Sequence, residues 1–382
     1  MPLARRICPI FLLLSAMSVL LCGCWDRREI EERTSVVAVG IDTVQGHKEL
    51  IEVSVQIPIP IRIAGSGGAG TGGGNGKTVQ VESARGRTVL DAMKNLQKKL
   101  NQQLFYGHTR VIAISEDAAR LGVNSLFDPF RRDPEIRRLL WLLVIKGKAF
   151  DALNINPNLE QIPTVYIMTM IENGSKAGTI TDVNLGQFFI KLTTDGRQPF
   201  LNYFQVKAGS LRWNGIALFR DDQMVGTLND EQSWSLLRLA EKKNGSNITY
   251  NYDNDPAKKV TLSMDYLRRR EKISYKNDQV QVHIRVDMES NLLEKTFDSN
   301  LFKASEIKKL EQGAEVYLEK NAMSLIQALQ KTYRTDALGI GARVRAFHPE
   351  IWKKVNWNEA FTEANITVDF RVNLRNTGME MQ

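Results

Sequence analysis

Leu21-Cys22-Gly23-Cys24 is the stretch of this 382-residue chain whose residue types and order do most to specify a chemistry. A cysteine behind a small residue, after an apolar run with a basic start, describes the acceptor of a diacylglyceryl group. The thiolate is the nucleophile of that transfer, and Gly23 gives a peptidase access to the bond before Cys24. The run from Ile7 to Leu21 is broken only by Cys8, Pro9, Ser15 and Ser18. It is short of the ~20 apolar residues of a membrane span and suits the h-region of an export signal behind Arg5 and Arg6. Residues 1–23 are therefore expected to be a signal peptide, cut between Gly23 and Cys24, with lipid on Cys24. Cys22 is the one residue out of pattern, standing where Ser or Ala is usual.

The other candidate groups carry less. Cys8 and Cys22 fall in the discarded segment, so the mature chain has a single thiol and no internal disulfide. His47, His108, His283 and His348 are scattered; there is no His-Glu-x-x-His, no cysteine pair and no Gly-x-Ser-x-Gly elbow. No catalytic or metal centre is expected. Asn75-Gly76-Lys77-Thr78 invites a phosphate-loop reading, but the glycine required five places before Gly76 is Thr71. Thr78 to Val81 also reads as a strand, where a phosphate loop must open a helix. No nucleotide is expected. Arg131, Arg132, Arg137 and Arg138, with Asp133 and Glu135, fit either an anionic headgroup or internal ion pairing, the commoner arrangement. His108, beside Gly107, reads as a hydrogen-bonded structural residue before a catalytic one.

Composition sets the frame for these groups. Removing Arg5 and Arg6 with the leader leaves 49 basic and 43 acidic residues, a net charge of +6. Interspersed charges of that size suit a body held near an anionic membrane surface and do not suggest nucleic acid. Two or three acyl chains on Cys24 would hold such a body essentially for good.

The elements that position these residues alternate. Ser35–Asp42 and Glu49–Ile57 predict a hairpin turning at Gln45-Gly46, with one wet face and an end at Pro58. Gly65–Gly76, with eight glycines in twelve residues, predicts a floppy surface loop. An amphipathic helix over 88–104, with Leu90, Met93, Leu96 and Leu100 as its apolar stripe, leads through Gly107 to a buried strand ending at Ser115. A short helix 116–121, a strand 139–145, and helices around 166–171 and 183–192 complete an α/β region. Lys207–Ser210 reads as a hinge. Beyond it come a hairpin (213–228), a helix capped by Asn229, and strongly alternating strands over 260–288, with Arg268-Arg269-Arg270 as a solvated edge guard. A long helix (305–333) and a last strand (366–374) close the chain. The fold class is α+β, multidomain, with mixed sheets packed by helices and a C-terminal antiparallel sheet with a long helix. The domains are expected at 24–206, long enough for two subdomains, and 207–382.

With these segments placed, the chain resembles the C-subunit lipoproteins of bacterial spore germinant receptors, the Ger(x)C family, over nearly its whole length. The resemblance rests on Gly23-Cys24-Trp25-Asp26-Arg27-Arg28-Glu29-Ile30, Val39-Gly40-Ile41-Asp42, Gly107-His108-Thr109-Arg110-Val111 and Arg132-Asp133-Pro134-Glu135-Ile136-Arg137. Gly215-Ile216-Ala217-Leu218-Phe219, Val225-Gly226-Thr227-Leu228 and Asp336-Ala337-Leu338-Gly339-Ile340-Gly341 continue it in the second half. It implies a non-enzymatic, lipid-anchored subunit on the outer face of the inner spore membrane. Such subunits act with two multi-pass membrane proteins, the A and B subunits, in nutrient-triggered germination, without a cofactor. His108, Arg132, Asp133, Glu135 and Arg137 are the candidate interaction surface. The alternative is a lipid-anchored protein that itself binds a small ligand, which would need a deep pocket between domains rather than a broad patch.

Overall fold

The computed structural model describes residues 33–60, 63, 77–157 and 160–377. Gly23, Cys24 and the glycine-rich loop lie outside the described residues. The first half builds one eight-stranded sheet. Its strands are β2 (Ala38–Val44), β3 (His47–Pro58), β4 (Val79–Gly86), β6 (Val111–Ser115), β7 (Trp141–Lys146), β8 (Phe200–Lys207), β9 (Ser210–Arg220) and β10 (Gln223–Leu228). They run in the order β10-β9-β8-β7-β6-β2-β3-β4. The central β8, β7, β6 and β2 are parallel, and antiparallel pairs flank them on both sides. A two-stranded parallel ribbon, β1 (Arg33–Ser35) with β5 (Gln103–Phe105), lies just ahead of β2.

Helices cover both faces, as an inner parallel sheet requires. On one side Ala92 and Leu96 of α1 (Val89–Gln97), Ala118 of α2 (Glu116–Leu121), Phe127 and Phe130 of α3 (Asn124–Arg132) and Phe188 of α6 (Leu185–Thr193) meet Val39, Ile41, Ile112 and Leu142. On the other, α4 (Ala149–Leu153) and α5 (Pro163–Lys176) bury Ala38, Ala113, Leu143 and Phe204. The hairpin β2–β3 consequently has no wet face. Ser54 and Gln56 are fully buried, because Gln56 donates to Leu153 O (2.5 Å) and accepts from Thr164 Oγ1 (2.6 Å), tying α4 and α5 to the sheet. Asp42 is likewise buried and accepts from Ala149 N (2.6 Å) and Phe150 N (2.9 Å), so it caps α4.

Three sequence expectations change here. The helix after Thr88 stops at Gln97, and the chain returns as β5; its buried residues are Val89, Ala92 and Leu96, while Leu90 is exposed. The helix expected around 166–171 is longer, since α5 runs from Pro163 through Gly174 and Ser175 to Lys176. Lys207–Ser210 is not a hinge but the tight turn between β8 and β9, with Ala208 and Gly209 at positive φ. The boundary expected at 206/207 thus falls at a hairpin turn, and the two strands after it complete the first sheet.

From β10 the chain enters α7 (Asp230–Glu241), capped by Asn229, and then a second, four-stranded sheet in the order β11-β12-β13-β14. β11 (Asn247–Asn251), β12 (Lys259–Lys276) and β13 (Gln279–Lys295) are antiparallel. Asn277 and Asp278 take the two positive-φ positions of the β12–β13 turn. The last strand, β14 (Asn365–Asn376), is parallel to β13, which departs from the all-antiparallel expectation. The connection explains it: α8 (Ala304–Gln327), a π-helical turn to Thr332, and α9 (Ile340–Phe347), α10 (Pro349–Trp352) and α11 (Trp357–Glu363) form a crossover, as parallel neighbours need. Arg268 and Arg270 are exposed on β12 as expected, but the Arg269 side chain is buried and paired with Glu271 (2.8 Å), which also holds Arg343 (2.6 Å).

α8 does more than cover this sheet. Glu311, Glu315 and Glu319 accept the backbone N–H groups of Leu374 (2.8 Å), Val372 (3.0 Å) and Phe370 (3.1 Å) on the outer edge of β14. Four helical residues rise about 6 Å and two strand residues about 6.6 Å, so the two repeats stay in step for three contacts. Burial, with the like charges of Glu311 and Glu319 also raising it, lifts the Glu315 carboxyl above its ordinary value, although the Val372 N–H opposes the shift. Glu315→Ala is expected to cost about 1–3 kcal/mol by orphaning an edge donor, while Glu315→Gln keeps the acceptor and costs much less. Because the folded value is raised, this group's contribution falls as pH rises from below 4.5, the ordinary value, through the folded value. Urea midpoints of the chain and both variants across that range check the order; equal midpoints for the two variants would remove the edge-capping role.

Candidate functional site

Four of the five sequence-selected residues, Arg132, Asp133, Glu135 and Arg137, lie at the end of α3 and in the segment leaving it. Asp128 binds Arg131 (2.9 Å) and Arg132 (2.6 Å), one and both a helical turn away, and Arg132 and Arg131 together hold its carboxyl below the usual range. Two of the four arginines are thus internally paired. Asp133 ends the helix, donating its N–H to Pro129 O, and its Oδ1 accepts from Glu135 N (2.9 Å). The side chains of Glu135, Arg137 and Arg138 are exposed. His108 stands apart in the turn after β5 and packs on the ribbon: Nδ1 meets Ser35 Oγ at 3.0 Å and the ring lies edge-on to Phe105. Arg33 lies over the same Phe105 ring at 5.1 Å.

Between α1, β5 and α3 runs a groove of about 470 Å³. Leu90, Met93 and Phe130 give it apolar walls, and Arg132, Asp133 and Tyr106 give it polar points. The Tyr106 hydroxyl is buried there without a hydrogen-bond partner, and burial, then the Asp133 charge, push its pKa far up. Arg132 and Asp133 therefore share a groove, whereas His108 does not line it. A second cavity, of about 260 Å³, lies between the two sheets' helices and is walled by Trp213, Trp234, Tyr317 and Asn321, with Asp230 and Glu231 among its lining. It is smaller than the ~300–1,000 Å³ usual for ligand pockets. Among the described residues no three His, Cys, Asp or Glu side chains are grouped to hold a metal ion, and no helix is long and apolar enough to cross a membrane.

What sequence reasoning missed is why the recurring motifs are there. Asp42 of Val39-Gly40-Ile41-Asp42 is the α4 cap. Asp336 of Asp336-Ala337-Leu338-Gly339-Ile340-Gly341 is buried and accepts from Ile340 N (3.1 Å), Gly341 N (2.8 Å) and Trp357 Nε1 (3.0 Å). Burial raises its carboxyl pKa against those three donors. A Cβ on Gly341 would lie 2.2 Å from Trp357 Nε1, and one on Gly226 would lie 2.1 Å from the Tyr333 ring. These motifs specify close packing. Only Asp336 carried a visible signal, an aspartate four residues ahead of a helix start, which marks a cap; Asp42 caps a helix that begins 107 residues later.

A two-sheet α+β body with a groove beside α1 and α3 and close-packing motifs is the class of protein this describes. Over 92% of this chain and 100% of the other, the fold matches the crystal structure of the GerBC protein, with a TM-score of 0.56 and 19% identity. Two family models match, the spore germination protein N-terminal domain at residues 26–206 and the spore germination B3/GerAC-like C-terminal domain at 214–378. The chain belongs to the Ger(x)C family of spore germination proteins. Among relatives, spore germination protein YndF of Bacillus subtilis is 25% identical, with 98% of each chain covered. Spore germination protein B3 of the same organism is 24% identical over 95% of this chain and 96% of its own. Spore germination protein A3 is 26% identical over 94% of each.

The geometry separates surface from scaffold among these motif residues. Arg137→Glu is expected to leave the urea unfolding midpoint within about 0.5 kcal/mol of the parent, as for exposed sites generally. Asp336→Ala orphans three buried donors and should cost about 2–4 kcal/mol. Parallel urea titrations check both, and a destabilised Arg137→Glu protein would make that residue structural.

Proposed function

We propose that this chain is a lipid-anchored, non-enzymatic subunit of a nutrient germinant receptor, held through Cys24 on the outer face of the inner spore membrane. Its partners are the multi-pass A and B subunits, and it takes no cofactor beyond the covalent lipid. The observation that carries this reading is the family match over both halves of the chain, 26–206 and 214–378. The lipidation pattern at Gly23-Cys24 supports the anchor. The buried carboxylates of Asp42 and Asp336 support a non-catalytic role, since their oxygens bind backbone and indole N–H groups.

Within this reading, the α1–α3 groove with Arg132 and Asp133 faces a receptor partner, while His108, Glu135 and Arg137 lie outside it. The division at 206/207 belongs to the same proposal: the two family models part between 206 and 214, at the β8–β9 hairpin. Mild detergent extraction of spore membranes through a C-terminal tag, followed by mass spectrometry, tests the assembly. Two multi-pass membrane proteins should co-purify, and Cys24→Ala should lose them. Recovery of the chain alone would sink the receptor-subunit reading and favour a self-sufficient ligand binder.

A further inference from the structure

Strands β2, β6 and β7 begin in register at Ala38, Val111 and Trp141, so the segments leading into them share one end of the first sheet. Backbone bonds lock those segments together. Arg110 N donates to Val37 O (2.9 Å), Trp141 N to Arg110 O (2.8 Å), Leu185 N to Leu140 O (2.9 Å) and Gly186 N to Arg138 O (3.0 Å). The platform is therefore fixed by its backbone and leaves its side chains free to meet something else.

Those side chains have an unusual character. Arg110, Arg137 and Arg138 are exposed and, among the described residues, none has an ion-pair partner, in contrast to Arg131 and Arg132 on Asp128. Between Arg138 and the buried Leu140 stands Leu139, 76% exposed. The acids in the same connection are Asp133, whose Oδ1 is engaged by Glu135 N, and the exposed Glu135. Arg33, on the ribbon that leads into β2, and His108, in the turn between β5 and β6, add further nitrogen groups nearby. Guanidinium groups match phosphate oxygens in a bidentate fork, and a projecting leucine gains by leaving water.

The direction of the chain is the second observation. Arg33 opens the described body at this same end, and Cys24 lies nine residues before it. Covalent geometry allows those residues to span at most about 30 Å. A lipid on Cys24 would thus keep this end, rather than the second sheet, close to the bilayer.

We propose that this end of the first sheet rests on an anionic lipid surface, with Arg110, Arg137 and Arg138 on headgroup phosphates and Leu139 at the acyl boundary. The inference rests on the lipid-anchor reading only for the tether; the surface itself is read from the platform. It also sorts the arginine cluster: Arg131 and Arg132 belong to α3, and Arg137 and Arg138 to the membrane.

The test uses the mature lipoprotein in phosphatidylcholine vesicles with or without phosphatidylglycerol. All three native cysteines, Cys8, Cys22 and Cys24, lie at or before the lipidation position, so Leu139→Cys adds the only free thiol of the lipidated body. A polarity-sensitive fluorophore at position 139 should shift to the blue and be quenched by a lipid-borne quencher only with phosphatidylglycerol. The same label at Leu293, exposed on the second sheet, should not respond. High salt, or Arg110→Gln, Arg137→Gln and Arg138→Gln together, should abolish the response at 139, with circular dichroism showing that the variant remains folded. A label at 139 that stays in water, or responds only when the multi-pass subunits are co-reconstituted, overturns the proposal; the second outcome assigns the face to a protein partner. Mass spectrometry of the Cys24 peptide reads the anchor separately. Should the chain carry no lipid, its flotation with phosphatidylglycerol vesicles reads the face alone and should weaken roughly fivefold per arginine replaced. Flotation unaffected by those replacements overturns the face, whatever the state of Cys24.

Discussion

The two halves of this protein are held in one arrangement by a buried guanidinium. Arg238, on α7, has no exposed surface and no carboxylate partner; it donates to Gly178 O (2.7 Å) and Gly245 O and lies 4.2 Å over the Trp234 ring. Gly178 belongs to the loop after α5, on the first sheet, and Gly245 to the approach to β11, in the second. Burial pulls the Arg238 pKa down to about 9, so the group is still a cation at neutral pH. Its desolvation is offset only while both carbonyls point at it. Sliding one half against the other would take at least one of those carbonyls from a buried charge. Gly178 has a positive φ and no room for a Cβ, which would lie 2.0 Å from Asn244 O. The same C-terminal turn of α7 is held by a second contact. Lys191, buried over Phe200, binds Glu241 at 3.1 Å, and Glu241 also accepts from Thr181.

Such a seam gives the family motifs a common meaning. Asp42 and Asp336 are caps; Gly226 and Gly341 admit the rings of Tyr333 and Trp357; Gln56 fastens two helices to a sheet. Each uses a buried polar group or a missing side chain to fix one backbone against another. A body built this way presents a set shape rather than an adaptable one. In the role proposed for it, such preorganisation would lower the ordering cost of each contact.

Much of this fold was legible because burial and alternation agree along the strands, as in Val280 to Met288 or Ile366 to Leu374. It failed where polar residues are buried. Ser54 and Gln56 alternate with valines and read as a wet face, yet Gln56 is polar because α4 and α5 need its bonds. Likewise, nothing local in Ile366–Leu374 distinguishes a parallel partner from an antiparallel one; the α8 crossover decides it. The candidate surface was half legible. Asp128 stands three and four residues before Arg131 and Arg132, a spacing that foretells their pairing, whereas the isolation of Arg110, Arg137 and Arg138 depends on strand register. Arg238 was illegible, since a lone arginine on an amphipathic helix reads as solvated until two distant glycine carbonyls close on it.

The sheet edges narrow the ways this body can associate. On β14 the outward N–H groups of Phe370, Val372 and Leu374 are already spent on glutamates of α8. Beyond Ser263, β12 has lost its β11 neighbour and carries exposed Arg268, Arg270 and Lys272, charges that discourage strand addition. At β10, the Tyr333 hydroxyl donates to Thr227 O (2.8 Å) and its ring fills the space over Gly226. With those edges closed by side chains, backbone pairing gains little there, and side-chain surfaces are what the body offers instead. The two with the most suitable chemistry, the α1–α3 groove and the arginine-bearing end of the strands, both border the β1–β5 ribbon. Contact with a partner and with a lipid surface would then fall on adjoining faces of one rigid half, leaving the second sheet projecting away from the membrane.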